Sequence, residues 1–220
     1  MSKNKRAESS LPNSFSQNFL TSGRTINRML DRTSLNCNDS VIEIGTGKGH
    51  LTRELVKRCG SVTSYEIDRK LFQAAKEKFA DFSSLSLVHM DFMKASLPRK
   101  GEYKIFANIP FFLTTDIIRK ITQTQNPPKE AWLIVEKGAT KRFAGKPCHT
   151  LSSLLLKPYY DLDIVYHIDR KEFHPMPSVE CVLLHFRKKD QPDLAVSERS
   201  SYGRFLTHSF DITFSENRRY

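Results

Sequence analysis

Long apolar runs are missing from this chain. No stretch approaches the roughly 20 apolar residues that cross a bilayer, so no membrane segment is expected. The first fourteen residues carry Lys3, Lys5 and Arg6 with no apolar stretch behind them, unlike a secretory signal. Cysteine is sparse and scattered: Cys37, Cys59, Cys148 and Cys181 form no close pair. That spacing argues against a zinc site or any other metal site and suits reduced thiols in a cytoplasmic protein. The histidines add no proton relay, because His50 falls in a first helical turn and His174 in a loop, neither with an acid partner.

Acidic residues are also in short supply. Lys and Arg number 35 against 24 Asp and Glu, a formal charge of +11 with pI near 9.6. Such a surplus points to a polyanionic partner bound in a salt-sensitive way. It is spread along the chain, with five cations and one acid in residues 1–30 and seven cations against five acids in 187–220. Arg119, Lys120, Lys137, Lys141, Arg142 and Lys146 stand out in the middle.

What is present is organised around Val41-Ile42-Glu43-Ile44-Gly45-Thr46-Gly47-Lys48-Gly49-His50. An apolar strand breaks into three alternate glycines, and Leu51 to Arg58 reads as a helix. A glycine turn at a helix N-terminus lets the backbone, with its N–H groups, approach a ligand closely. A dinucleotide reader wants a small residue where His50 stands. The pattern Glu-x-Gly-x-Gly-x-Gly is instead the first motif of S-adenosylmethionine (SAM) methyltransferases. Ser61 to Tyr65 reads as a second strand, ending in Glu66, which lies about 20 residues past the glycines, where a carboxylate can grip a ribose diol.

The remaining pattern alternates strands and helices. Helices are expected at Arg24 to Leu35 behind a Thr21-Ser22 cap, Leu71 to Phe82, Thr114 or Thr115 to Gln123, Leu151 to Pro158 and Ser200 to Phe210. Strands are expected at Ser84 to His89, Tyr103 to Ala107, Ala131 to Val135, Leu162 to Ile168 and Cys181 to Phe186. This predicts a Rossmann-like α/β fold, a mostly parallel sheet with helices on both faces, and a short helical remnant at the C-terminus. The domains would be a basic arm at 1–14, a catalytic domain at 15–187, and a linker with a truncated helical segment at 188–220. The Phe15 to Leu20 stretch is either a lid over a cofactor or an ordinary N-terminal cap. Asp91 and Phe92 follow the third strand, where an acid could accept from an adenine amine and the ring could stack.

Ligands gather at the carboxyl ends of parallel strands. Glu43 to Gly49, Glu66, Asp91 and Asn108 all fall at such ends. After the fourth strand, Asn108-Ile109-Pro110-Phe111 offers two acceptors for the amino hydrogens of an adenine, the Asn108 side-chain oxygen and the Ile109 carbonyl. Accepting those hydrogens makes the amino nitrogen more tetrahedral and more nucleophilic. Pro110 stiffens the turn, and Phe111 can stack on the base, worth roughly 1–3 kcal/mol. A base reaching such a pocket is flipped or single-stranded. Phe173, beside Pro175 and Pro177, is either a second stacking ring or a core aromatic.

Taken in order, Ser16-Gln17-Asn18-Phe19, Glu43 to His50, Tyr65-Glu66-Ile67-Asp68, Asn108 to Phe111, Leu133 to Gly138 and Phe173-His174-Pro175-Met176-Pro177 resemble the Erm family of 23S rRNA adenine-N6 methyltransferases. The resemblance covers about residues 15 to 187. It implies SAM-dependent methylation of one adenine in bacterial 23S rRNA, with resistance to macrolide, lincosamide and streptogramin B antibiotics, by a monomer. It implies SAM contacts from Asn18, Leu20, Gly45, Glu66, Asp91 and Asn108, and a target base held by Asn108, Ile109, Pro110, Phe111 and Phe173. The chain departs from the family at Ala107 and Phe111, where Gly and Tyr are usual, and after residue 187, where only the start of the family's helical domain fits. Within the same chemistry, a small-subunit rRNA adenine dimethylase is the nearest alternative, although Lys48 and Glu136-Lys137-Gly138 favour Erm. An rRNA-binding module with weak activity is the alternative from another class.

Overall fold

The structure is a computed structural model. It describes residues 18–145 and 148–216, with side chains through residue 210. The basic arm, Phe15 to Gln17 and Lys146 lie outside the described residues. In chain order the elements begin with β1 (Phe19–Leu20), α1 (Gly23–Leu30), β2 (Ser40–Ile44), α2 (His50–Arg58), β3 (Ser61–Glu66) and α3 (Arg69–Lys78). Then follow β4 (Leu85–His89), β5 (Lys104–Asn108), α4 (Thr114–Gln123), β6 (Glu130–Glu136), α5 (Lys137–Ala144) and α6 (Leu151–Leu156). The chain closes with β7 (Tyr160–Ile168), β8 (Phe173–His174), β9 (Cys181–Lys188) and α7 (Arg199–Glu216).

The seven-stranded sheet runs β4-β3-β2-β5-β6-β9-β7. Its first five strands are parallel. β9 is antiparallel to both β6 and β7, so the two last strands form a hairpin that closes one edge. The parallel strands are nearly continuous apolar runs because both faces are covered. Alternate side chains feed two separate cores, as the period of two requires. Ile42, Ile44, Ile105, Ala107, Leu133, Val135, Val182 and Leu184 pack with Ile117, Ile118 and Ile121 of α4. Val41, Val62, Phe106, Trp132, Ile134 and Leu183 pack with Ile26 and Met29 of α1 and Leu55 of α2. From β2 the chain moves outward to β3 and β4, then returns to β5 on the other side of β2. This reversal opens a crevice at the carboxyl ends of β2 and β5.

Three elements depart most from the sequence-based expectation. α1 ends at Leu30 rather than Leu35, where the Thr33 hydroxyl donates to the Leu30 carbonyl at 2.7 Å. α5 was not expected, since Gly138 in its first turn is a poor helix former; it stops at Gly145, which has φ 67°. α7 is longer than Ser200 to Phe210 and packs on α6, with Leu206 buried and the Tyr202 hydroxyl donating to the Leu154 carbonyl at 3.3 Å. A further surprise is a two-stranded antiparallel sheet in which Leu20 faces Phe173 and Phe19 faces His174.

Candidate active site

The glycine turn follows β2 directly. Gly45, Gly47 and Gly49 have φ of 82°, 54° and 74°, a region that side chains disfavour. A Cβ on Gly45 would meet nothing within 4 Å, whereas one on Gly49 would strike the Phe79 ring at 2.5 Å. Gly45 is therefore the open wall of the turn and Gly49 its packed wall. The expected row of free N–H donors is absent at four positions. Those of Gly45 and Thr46 donate to the Tyr65 carbonyl at 2.8 and 3.3 Å. The N–H of Gly49 donates to the Thr46 carbonyl at 2.9 Å, and that of Gly47 to Glu66 Oε2 at 2.8 Å.

Two carboxyls lie under and beside this turn. Glu66 is 3% exposed, and its Oε1 accepts the Asp68 N–H at 2.9 Å. Both oxygens thus hold backbone, and each keeps a further lone pair for a ligand hydroxyl. Glu43 is fully buried. Its Oε2 accepts the Ser64 hydroxyl at 2.5 Å and the Thr52 hydroxyl at 2.8 Å, tying β2 to β3 and α2. Its Oε1 has no partner. Burial pushes the Glu43 carboxyl up to about 8, against hydrogen bonds from Ser64 and Thr52 that lower it, while the charge of Glu66 raises it further.

The next strand ends carry apolar surface. Ile67 is 48% exposed and Met90 43%. They adjoin Glu66 and Asp91, and the Met90 N–H donates to the Glu66 carbonyl at 3.0 Å. Exposed aliphatic side chains beside an acid suit a purine and its ribose. Sequence reading missed both, because exposure has no local signature. It also overrated Phe92, whose ring is buried and meets Tyr65 edge-on at 5.7 Å. Asp91 caps the short turn after β4, with Oδ1 accepting the Met93 N–H at 2.8 Å.

Asn108 ends β5, one strand across from the glycine turn. Its Nδ2 donates to the Asn18 carbonyl at 2.9 Å. A carbonyl attracts only the NH₂ end of the amide, so this contact turns Oδ1 away from Asn18. Ile109 is buried in the core. Pro110 leads into a tight turn whose Leu113 N–H donates to the Pro110 carbonyl at 2.9 Å, and the Thr114 hydroxyl donates to the Phe111 carbonyl at 2.8 Å. Phe111 is half-buried against the α1/α2 face of the sheet. Ala107 is fully buried between Ile44 and Leu133, so the extra methyl has its own place in the core.

Two of the expected site side chains are buried. Phe173 is 3% exposed and belongs to the same apolar cluster as Leu20 and Ile168, so it is a core aromatic and presents no free ring face. The Leu20 side chain is likewise buried, which leaves its backbone as the part able to meet a cofactor. At the N-terminal stretch, Asn18 leads into β1 and its carbonyl reaches Asn108.

The groups that hold that strand were also missed. The Thr21 N–H donates to the Glu172 carbonyl at 3.0 Å, and the Thr25 hydroxyl donates to Glu172 Oε2 at 3.0 Å. Glu172 immediately precedes β8, so it clamps β1 against β8 from the end away from Asn108. The His174–Pro175 bond that follows is cis. Among the described residues, no group of three or more His, Cys, Asp or Glu could hold a metal, and no helix is long and apolar enough to cross a membrane.

This strand order, with a glycine turn and an acid-tipped neighbour at the switch point, is that of a Rossmann-like methyltransferase. The chain belongs to the ribosomal RNA adenine dimethylase family, whose pattern it matches over residues 9–213. The match thus runs past residue 187 into α7. An rRNA adenine N-6-methyltransferase of Limosilactobacillus reuteri is 38% identical over 209 residues, spanning 93% of this chain and 84% of the relative. One of Lysinibacillus sphaericus is 39% identical over 207 residues, spanning 92% and 83%. Among solved structures, the 23S rRNA methyltransferase ErmE superposes with a TM-score of 0.78 at 26% identity, covering 86% of this chain and 78% of that one. A dimethyladenosine transferase from Plasmodium falciparum shares the fold, with a TM-score of 0.70 at 23% identity over 78% of this chain and 63% of that one.

Proposed function

We propose that this protein transfers a methyl group from SAM to the N6 nitrogen of one adenine in 23S rRNA, and so confers resistance to macrolide, lincosamide and streptogramin B antibiotics. The carrying observation is the Asn108 amide, whose NH₂ is held by the Asn18 carbonyl at 2.9 Å. Its Oδ1 is then an acceptor at the crevice, placed for an N6 hydrogen of the target base.

The residues fit a bound SAM. Gly45 leaves open space where a side chain would stand, Glu66 retains acceptor capacity for ribose hydroxyls, and Ile67 with Met90 offers apolar surface for the adenine. Asp91, Asn18 and the Leu20 backbone complete the proposed contacts. When bound, SAM supplies an electrophilic methyl on a cationic sulfur. The work of the chain is positioning: holding nucleophile and electrophile aligned removes much of the entropic barrier. Asn108 Oδ1 and the Ile109 carbonyl accept the two N6 hydrogens. Pro110 stiffens the turn, and the half-buried Phe111 ring stacks on the flipped base.

The test is transfer of tritium from labelled SAM to rRNA, followed by mass spectrometry of 23S rRNA from cells expressing the chain. Methylation of a single 23S adenine is expected. Label confined to small-subunit rRNA, or RNA binding with no label, would overturn the proposal.

A further inference from the structure

Several of the surface cations described are matched by acids. Lys57 pairs with Glu54, Arg58 with Asp31, Lys129 with Glu102, Lys137 with Glu180 and Arg187 with Asp161. Lys48, Arg53 and Lys78 are not among them, and they lie close together. All three are exposed, and among the described residues none forms a salt bridge. They sit on the glycine turn, the first turns of α2 and the last turn of α3. Lys78 Nζ donates to the Lys48 carbonyl at 2.7 Å and lies 5.3 Å from the Phe79 ring centre. Lys48 Nζ lies 5.0 Å from the Phe19 ring centre. The Lys78 ammonium is thus held at the glycine turn and that of Lys48 over Phe19, both by contacts that carry no negative charge.

Their fields overlap. His50, between them, is held below its ordinary value by burial first, then by Lys78, Arg53 and Lys48. Lys78 is lowered by burial and then by Arg53. No carboxylate appears among these influences. Clustered like charges oppose folding unless a counter-charge is brought from outside.

The position says which counter-charge. Phe19, under Lys48, follows Asn18, and the Asn18 carbonyl holds Asn108. The cluster therefore begins one aromatic ring away from the crevice rim and runs outward along α2. We propose that Lys48, Arg53 and Lys78 form a docking strip for the phosphodiester backbone of the RNA that presents the target adenine. This rests on the reading given under Proposed function. Bases carry the sequence, while such phosphate contacts set register and orientation. The competing anion is the carboxylate of the cofactor itself.

The experiment follows a fluorescein-labelled RNA hairpin with an unpaired adenine in its loop, titrated with the full chain from 0.05 to 0.3 M salt. Each phosphate contact to a single strand contributes about 0.7 to the slope of log affinity against log salt. The double variant Arg53→Gln, Lys78→Gln is expected to lose about 1.4 from that slope, with SAM affinity by calorimetry unchanged within twofold. The charge-retaining pair Arg53→Lys, Lys78→Arg should keep the slope, which separates charge from folding. The control Lys57→Gln, Lys129→Gln, on matched cations, should also keep it. An unmoved slope in the double variant, or one that moves no more than the control, overturns the strip. So does a loss of SAM affinity at constant slope, which would assign the cluster to the cofactor carboxylate. Failure of the functional reading looks different: the wild type would bind RNA with the same salt dependence and transfer no methyl.

Discussion

The side-chain amide of Asn108 donates to the backbone carbonyl of Asn18 at 2.9 Å, across 90 positions of sequence. This single contact couples the N-terminal strand to the turn proposed to hold the base, and it selects which end of the amide faces the crevice. Asn108→Ala is expected to lower methyl transfer by about 100-fold or more, as loss of a preorganised polar group does, with little change in melting temperature. Asn108→Asp should be as inactive, because a carboxylate against the Asn18 carbonyl repels. Tritium transfer and thermal melting check both; transfer at the wild-type rate in either variant removes Asn108 from the chemistry.

The clamp behind that strand gives a second expectation. Glu172→Ala removes the acceptor for Thr25 and loosens β1 against β8. Turnover should fall about tenfold, the equivalent of one hydrogen bond of roughly 1.4 kcal/mol, with a smaller effect on the KM for SAM. Glu172→Gln and Thr25→Ser, which can keep the hydrogen bond, should restore turnover. Steady-state kinetics of the set would show no such rescue if Glu172 served only stability.

Glu66 holds the Gly47 N–H at 2.8 Å and is the carboxyl proposed to accept from a ribose. Glu66→Ala should weaken SAM binding by at least about tenfold, or roughly 1.4 kcal/mol. Calorimetry decides, and unchanged affinity would dismiss the ribose assignment.

Glu43 sets a pH dependence. Its folded-state value of about 8 lies above that of an unfolded glutamate, so the folded state holds the proton more tightly. Stability therefore falls as pH rises from about 4.3 towards 8, by up to about 1.4 kcal/mol per pH unit, and levels off above 8. Glu43→Gln, which stays neutral, should lose this trend and melt higher than the wild type at pH 9. Parallel melting curves of the two proteins across pH 5 to 9 would contradict the buried neutral carboxyl.

Phe173 distinguishes a core ring from a stacking ring. Being 3% exposed, it should tolerate Phe173→Leu at a cost below about 1.5 kcal/mol, with transfer within a few-fold of wild type. Phe173→Ala should cost about 3–5 kcal/mol. A Leu variant that folds fully and transfers no methyl would restore the stacking role.

Much of this was legible before any coordinates. Short apolar runs between polar turns located every strand of the large sheet, because strands covered on both faces read as continuous apolar stretches. The alternation of elements implied parallel order, and with it the gathering of Gly45, Glu66, Asp91 and Asn108 along one rim. Cap chemistry placed Ser22 correctly, and Asp68 caps α3 by the same rule. A local rule fails where a partner is distant and the pairing short. β1 and β8 are two residues each, too short for any period to show. The Thr25–Glu172 clamp spans 147 positions, and the exposure of Ile67 and Met90 depends on what does not cover them. The sequence by itself determined the sheet, its two cores and the acids on its rim, since these follow from the order of polar and apolar residues along the chain. Only the tertiary structure decided that Asn18 orients Asn108, that Phe173 is core, and that Glu43 is buried, since each depends on the distance between segments that the chain keeps far apart.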